Sequence, residues 1–245
     1  MKSVLENILH KNQHGFRCVV DFNPAKEKIA HINLSKSNTE LTEEIYSNTK
    51  NFTSYIDAKR KEYGAKFLIG GYGELRDMYK RSLLFDVEKK SGIEKPISEE
   101  PRRLHIGMDI WGDAGTKIFV PVGGTVHSFA FNNNFGDYGA TIILQHQLDT
   151  IVFYTLYGHL SLTDIAHLKE GKFISRGEVL AHFGSPIDNG NWPPHLHFQV
   201  INDIRLYKGD YPGVCTEKEG ARYLANCPDP DLIVDLGKYA QPTAI

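Results

Sequence analysis

Leu104-His105-Ile106-Gly107-Met108-Asp109-Ile110-Trp111 is where the chain changes character. In an extended segment successive side chains point to opposite faces. His105, Gly107 and Asp109 therefore share one face, and Leu104, Ile106, Met108 and Ile110 share the other. His195-Leu196-His197-Phe198 repeats the form, with two imidazoles on one face and two apolar side chains opposite. Both stretches read as strands that give one face to a core and the other to chemistry. A polar pair inside such an apolar strand is costly unless something uses it.

Around these stretches, short β-rich runs alternate with glycine turns over 104–111, 117–122, 124–131, 139–146, 150–157, 172–174, 179–183 and 195–202. This punctuation predicts a mainly β fold, an antiparallel sandwich or barrel. Upstream, Ser3 and Glu6 have capping-box spacing and open a short helix. Phe16 to Phe22 and Ile29 to Leu34 read as strands. Leu41, Ile45, Phe52, Ile56 and Tyr63 recur at helical spacing, which predicts one helix over about 40–63, capped by Asn38 or Thr39 and stopped by Gly64. A strand then runs from Lys66 into Gly70-Gly71, and 86–103, with Pro96 and Pro101, reads as an exposed loop. Downstream, a helix is expected at 217–226 and a turn at Pro228-Asp229-Pro230. The expected organisation is an N-terminal α+β extension (1–103), a β domain (104–202) and a C-terminal extension (203–245).

A chain of 245 residues buries roughly three quarters of its unfolded surface and needs no staples. A formal charge of −2 without a Lys/Arg run gives no footprint for nucleic acid. No stretch approaches the ~20 apolar residues of a membrane span. The N-terminus lacks the charged and apolar regions of a secretory signal, so a cytoplasmic location is expected. Cys18, Cys215 and Cys227, odd in number and scattered, read as reduced thiols. Oligomeric state is not legible.

Of the eleven histidines, His10, His14, His31, His127, His146, His167 and His182 read as surface or hydrogen-bonded core residues. His105, Asp109, His159, His195 and His197 stand apart. Tyr157-Gly158-His159-Leu160 closes an apolar strand, and Pro193-Pro194 imposes an extended approach to His195. Two imidazoles and a carboxylate brought together make a three-ligand zinc site with a free position, the hydrolytic type. Two structural histidines on a sheet satisfy the spacing equally well.

Further motifs follow in order: Gly71-Tyr72 with Arg76, His105 to Asp109, Gly115-Thr116-Lys117-Ile118-Phe119-Val120-Pro121, Gly124-Thr125-Val126, Tyr157 to Leu160, Gly171 to Gly177, and His195 to Phe198. With these, Phe67 to Ile201 resembles the lysostaphin-type zinc metallopeptidases, which are peptidoglycan-cleaving endopeptidases. The resemblance implies an antiparallel barrel-sandwich of the duplicated-hybrid-motif type. It implies Zn2+ held by His105, Asp109 and His197, with metal-bound water as the nucleophile on a peptide or amide substrate. It makes His159 and His195 the catalytic pair, His195 as general base and His159 at the oxyanion. Three positions depart from the family pattern. Asp188 to Pro194 replaces a Ser-Thr-Gly-Pro lead, Gln199 replaces a glutamate, and Glu99 replaces a tyrosine for which Tyr72 or Tyr79 is a candidate stand-in. Three other readings compete. A lipoyl- or biotinyl-carrier sandwich lacks its modified-lysine turn, and a phosphotransfer domain is disfavoured by Asp109. A metal-binding domain of this fold that has lost peptidase activity is disfavoured by the five intact residues, since drift erases His159 or His195 first, and a hydrolase of a cytosolic amide stays open.

Overall fold

The structure, a computed structural model, describes residues 2–86, 88–90, 93–95 and 100–241. Pro96 and Glu99 lie outside the described residues. In chain order the elements are α1 (Val4–Asn12), β1 (Ile29–His31), α2 (Glu43–Ser47), α3 (Thr49–Glu62), β2 (Phe67–Gly70), β3 (Glu74–Leu75), β4 (Glu88–Lys90) and β5 (Ile93–Lys95). Then come β6 (Leu104–His105), β7 (Met108–Trp111), β8 (Lys117–Phe119), β9 (Gly124–Asn132), β10 (Gly139–Leu148), β11 (Ile151–Leu160), α4 (Leu162–Ile165) and β12 (Phe173–Ile174). The chain closes with β13 (Val179–His182), β14 (His195–Ile201), β15 (Val214–Cys215), α5 (Gly220–Asn226), α6 (Asp231–Val234) and β16 (Ala240–Gln241).

The fold is mainly β. Nine strands form one open sheet in the order β12-β9-β10-β11-β14-β7-β2-β1-β16, so the expected sandwich is present without closing into a barrel. Its centre is antiparallel, while β1 pairs in parallel with β2 and β16. Strands from the first hundred residues and from the C-terminus thus extend the same sheet. The two-stranded β8–β13 sheet packs over it through Ile118, Val120, Leu180 and Ala181.

Alternation decides which face each side chain joins. Leu196, Phe198 and Val200 of β14 and Met108 and Ile110 of β7 enter the core between the sheets, which α1 also closes with Leu5 and Leu9. Each fully buried large apolar side chain contributes about 1.5–3 kcal/mol. The opposite face of β7 carries Asp109 and Trp111. Trp111 packs with Phe52 and Ile56 of α3 in a second cluster, and Ile106, Ile143 and Tyr211 belong to a third, with C-terminal residues.

The predicted 40–63 helix is broken in two. Asn48 is extended (φ −109°, ψ 120°), and its side chain accepts the Asn51 N–H to cap α3. Asn38 caps a turn at Glu40 instead, and Gly64 (φ +58°) ends α3 as expected. The Phe16–Phe22 strand reduces to one bridge, Val20 with Ile118. The loop read over 86–103 contains the β4–β5 hairpin. The C-terminal helix starts at Gly220, after a turn. The Ser3–Glu6 capping box forms. All three cysteines are free thiols. No helix among the described residues is long and apolar enough to cross a membrane.

Candidate metal centre

His105 ends β6, Asp109 is on β7 and His197 is on β14. Asp109 and His197 are directly opposed across the β7–β14 pair, so sheet register brings them together. His105 Nε2 lies 2.9 Å from His197 Nδ1 and 3.3 Å from Asp109 Oδ1, and His197 Nδ1 lies 3.2 Å from the same oxygen. A tetrahedral zinc with ligand bonds of about 2.0–2.2 Å requires ligand atoms about 3.3 Å apart, so this triangle fits the ion. Gly107 makes the approach possible. A Cβ there would meet His197 Cε1 at 2.3 Å.

The tautomers follow from the partners. His105 Nδ1–H donates to Gly71 O at 2.8 Å, which leaves Nε2 as a lone pair. Gln199 donates its amide to Pro212 O and to Cys227 Sγ, so its Oε1 faces His197 and accepts Nε2–H at 3.0 Å. His197 Nδ1 is therefore also a lone pair. Fixing the outer nitrogen in this way orients metal-binding imidazoles. Asp109 Oδ2 accepts from Arg76 Nη1 at 2.6 Å, and Arg76 Nε donates to Glu74 Oε2 at 2.6 Å.

Burial sets the protonation states. It pushes His105 down to about 4, with Arg76 adding to the effect. Burial alone raises a carboxyl, but at Asp109 His105 and Arg76 outweigh it and hold the group well below its ordinary range. The site thus offers a neutral His105 imidazole and the Asp109 carboxylate, forms that bind a cation.

His159 and His195 stand beside the triangle with ring centroids 4.1 Å apart. His195 Nδ1–H donates to Pro193 O at 2.7 Å, and its Nε2 is 4.0 Å from Asp109 Oδ1. Its ring stacks on Trp111 at 3.9 Å. His159 Nδ1–H donates to Asn189 O at 2.8 Å. Burial lowers His195 to about 4, and burial followed by the neighbouring His195 lowers His159 well below its ordinary value. All five residues singled out in the sequence thus meet at one place, on a cleft of about 500 Å3.

Three parts of the chain wall that cleft. Tyr79 and Phe85 come from the N-terminal segment, Tyr138 and Trp192 from loops, and Tyr207 and Tyr211 from the C-terminal segment. Of the two candidate tyrosines, Tyr79 lies against His105 with centroids 6.4 Å apart. Tyr72 donates to Cys227 O. Sequence reasoning missed Asn189 and Tyr138, because neither a backbone carbonyl acceptor nor an aromatic residue in a glycine turn carries a local signal. Of the remaining histidines, His146 is a hydrogen-bonded core residue, held by Gly123 O and Thr155 Oγ1.

Residues 103–208 match the model of peptidase family M23. No curated protein matches the chain. Among solved structures, the catalytic domain of the antimicrobial peptidase lysostaphin from Staphylococcus simulans is similar at 21% identity, with 62% of this chain and 88% of that chain covered and a TM-score of 0.35. A structure described as LytU has 22% identity, 57% and 86% coverage and a TM-score of 0.32. A zinc-containing peptidase from Vibrio cholerae has 23% identity over 47% of this chain, with a TM-score of 0.32, and the match spans 31% of that longer protein.

Proposed function

We infer, from the match of residues 103–208 to the model of peptidase family M23, that the protein is a zinc-dependent hydrolase of peptide or amide bonds. His105, Asp109 and His197 are its ligands, and His159 and His195 are its proton-handling pair. The observation that carries this reading is the triangle of ligand atoms with sides of 2.9, 3.2 and 3.3 Å at the cleft wall. A bound zinc supplies Lewis acidity, polarising a carbonyl and bringing the pKa of water towards ~7.

The chain's own groups do the rest. His195, with Nδ1–H committed to Pro193 O, presents Nε2 on the metal side and accepts a proton there as general base. Trp111 beneath it holds the ring in plane. His159 has given its Nδ1–H to Asn189 O, so it donates to negative charge on the substrate oxygen only after Nε2 gains a proton. Rings 4.1 Å apart in a buried site do not both carry charge, so the pair handles one extra proton at a time. The aromatic cleft accepts a short peptide, and peptides of the peptidoglycan type are the substrates we propose.

The test is a cleavage screen of muropeptides, short peptides and cytosolic amides, with and without a chelator, on protein of measured zinc content. About one zinc per chain and chelator-sensitive cleavage are expected. A folded protein that takes up no zinc overturns the reading.

A further inference from the structure

The oxygen that Asp109 turns towards the two imidazoles is selected by residues outside the segment that matches the family model. Glu74, on β3, accepts the Leu34 N–H at 3.1 Å and Arg76 Nε–H at 2.6 Å. Arg76 is 1% exposed, and its Nη1 donates to Asp109 Oδ2 at 2.6 Å. Its other terminal nitrogen, Nη2, is buried without a hydrogen-bond partner and is packed against Gly71. Gly71 in turn supplies the carbonyl that holds His105 Nδ1–H. At φ +103°, a Cβ on Gly71 would stand 2.0 Å from Arg76 Nη2 and 2.8 Å from His105 Nδ1. One glycine thus seats both the arginine and a ligand histidine.

A carboxylate can bind a metal through one oxygen or two, and only Oδ1 of Asp109 faces the imidazole nitrogens. The guanidinium is planar and rigid, and here one edge is anchored to Glu74. Releasing Oδ2 would leave the buried Nη1 donor without a partner while Glu74 still holds the other edge, a costly state. We propose that Arg76 is a positioning residue that restricts Asp109 to ligation through Oδ1, keeping a coordination position open for substrate. On this view the Glu74–Arg76 arm of the N-terminal segment is part of the metal centre. The proposal rests on the metal-binding reading above.

The test uses the full chain loaded with Co2+, whose visible absorption is intense in four-coordinate sites and several-fold weaker in five-coordinate ones. Wild-type protein is expected to give the intense band. Arg76→Gln, which frees Oδ2, is expected to weaken it several-fold, or to release the ion while far-ultraviolet circular dichroism stays unchanged. Arg76→Lys keeps the charge without the fork and is expected to fall between. An Arg76→Gln protein with the wild-type band and wild-type resistance to chelator overturns the proposal. Wild-type protein that binds neither Co2+ nor Zn2+ overturns the metal reading instead. If Arg76→Gln does not fold, X-ray absorption at the zinc edge of the wild type decides. One Asp109 oxygen is expected, and two overturn the proposal.

Discussion

His105 Nε2 and His197 Nδ1 lie 2.9 Å apart, each a lone pair because the other nitrogen of its ring carries the hydrogen and donates it to an oxygen. Two lone pairs at that distance repel unless a cation or a proton lies between them. Burial drives His105 down to about 4, so at neutral pH its Nε2 carries no proton. A metal ion between them is what the proposed function would supply.

Substitution should therefore separate the two kinds of histidine. His197→Ala is expected to lose bound zinc and activity together. His195→Ala is expected to keep about one zinc per chain and lose turnover. Metal analysis beside single-turnover cleavage checks this, and loss of zinc from both variants would contradict the roles proposed.

Gln199 holds His197 from behind through a 3.0 Å hydrogen bond. Gln199→Leu removes that acceptor and should weaken zinc affinity by about 10- to 100-fold, the usual effect of deleting a residue that orients a ligand. Gln199→Glu retains the acceptor and should retain affinity. Competition with a chromogenic chelator reads both variants.

His146 allows a pH prediction remote from the metal. Burial lowers its folded pKa to about 4, against ~6.5 in the unfolded chain. The unfolded state thus binds the extra proton between these values. The stability contributed by neutral His146 is complete above about pH 6.5 and is lost as pH falls towards 4, up to about 3 kcal/mol. His146→Gln should flatten this part of the acid limb in denaturant titrations from pH 7 to 4. An unchanged slope would remove His146 from the account.

Phe52 of α3 is fully buried, with its ring 5.8 Å from Trp111 and 6.3 Å from Trp192. Phe52→Ala should cost about 3–5 kcal/mol. Because Trp111 carries His195, turnover should fall further than the folded fraction does. Activity normalised to the folded population by circular dichroism tests this.

The strand pattern from Leu104 onward was legible because alternation is local: each glycine turn and each apolar face is written within ten residues. The five candidate residues that meet at the cleft stood out for the same reason, helped by their family resemblance. The break at Asn48 was not, because helical periodicity continues across it while one side chain's preference for a cap decides the backbone. Arg76 could be quoted as part of a motif, but its bond to Asp109 spans 33 residues and has no local trace. The addition of β1, β2 and β16 to the main sheet was hidden likewise, since strands of two to four residues carry too little pattern to show their partners.

Gly70, Asp109, His197 and Gly158 face one another in a single row across β2, β7, β14 and β11. In a pleated sheet a slip of one residue turns every side chain to the other face. A β14 displaced by one position would send His197 into the apolar core and bring Leu196 or Phe198 to the ion. On the proposed metal reading, uptake of an ion is a register gauge for the molecule: an ion held by residues from three strands would select the correctly threaded sheet and discriminate against its near misses.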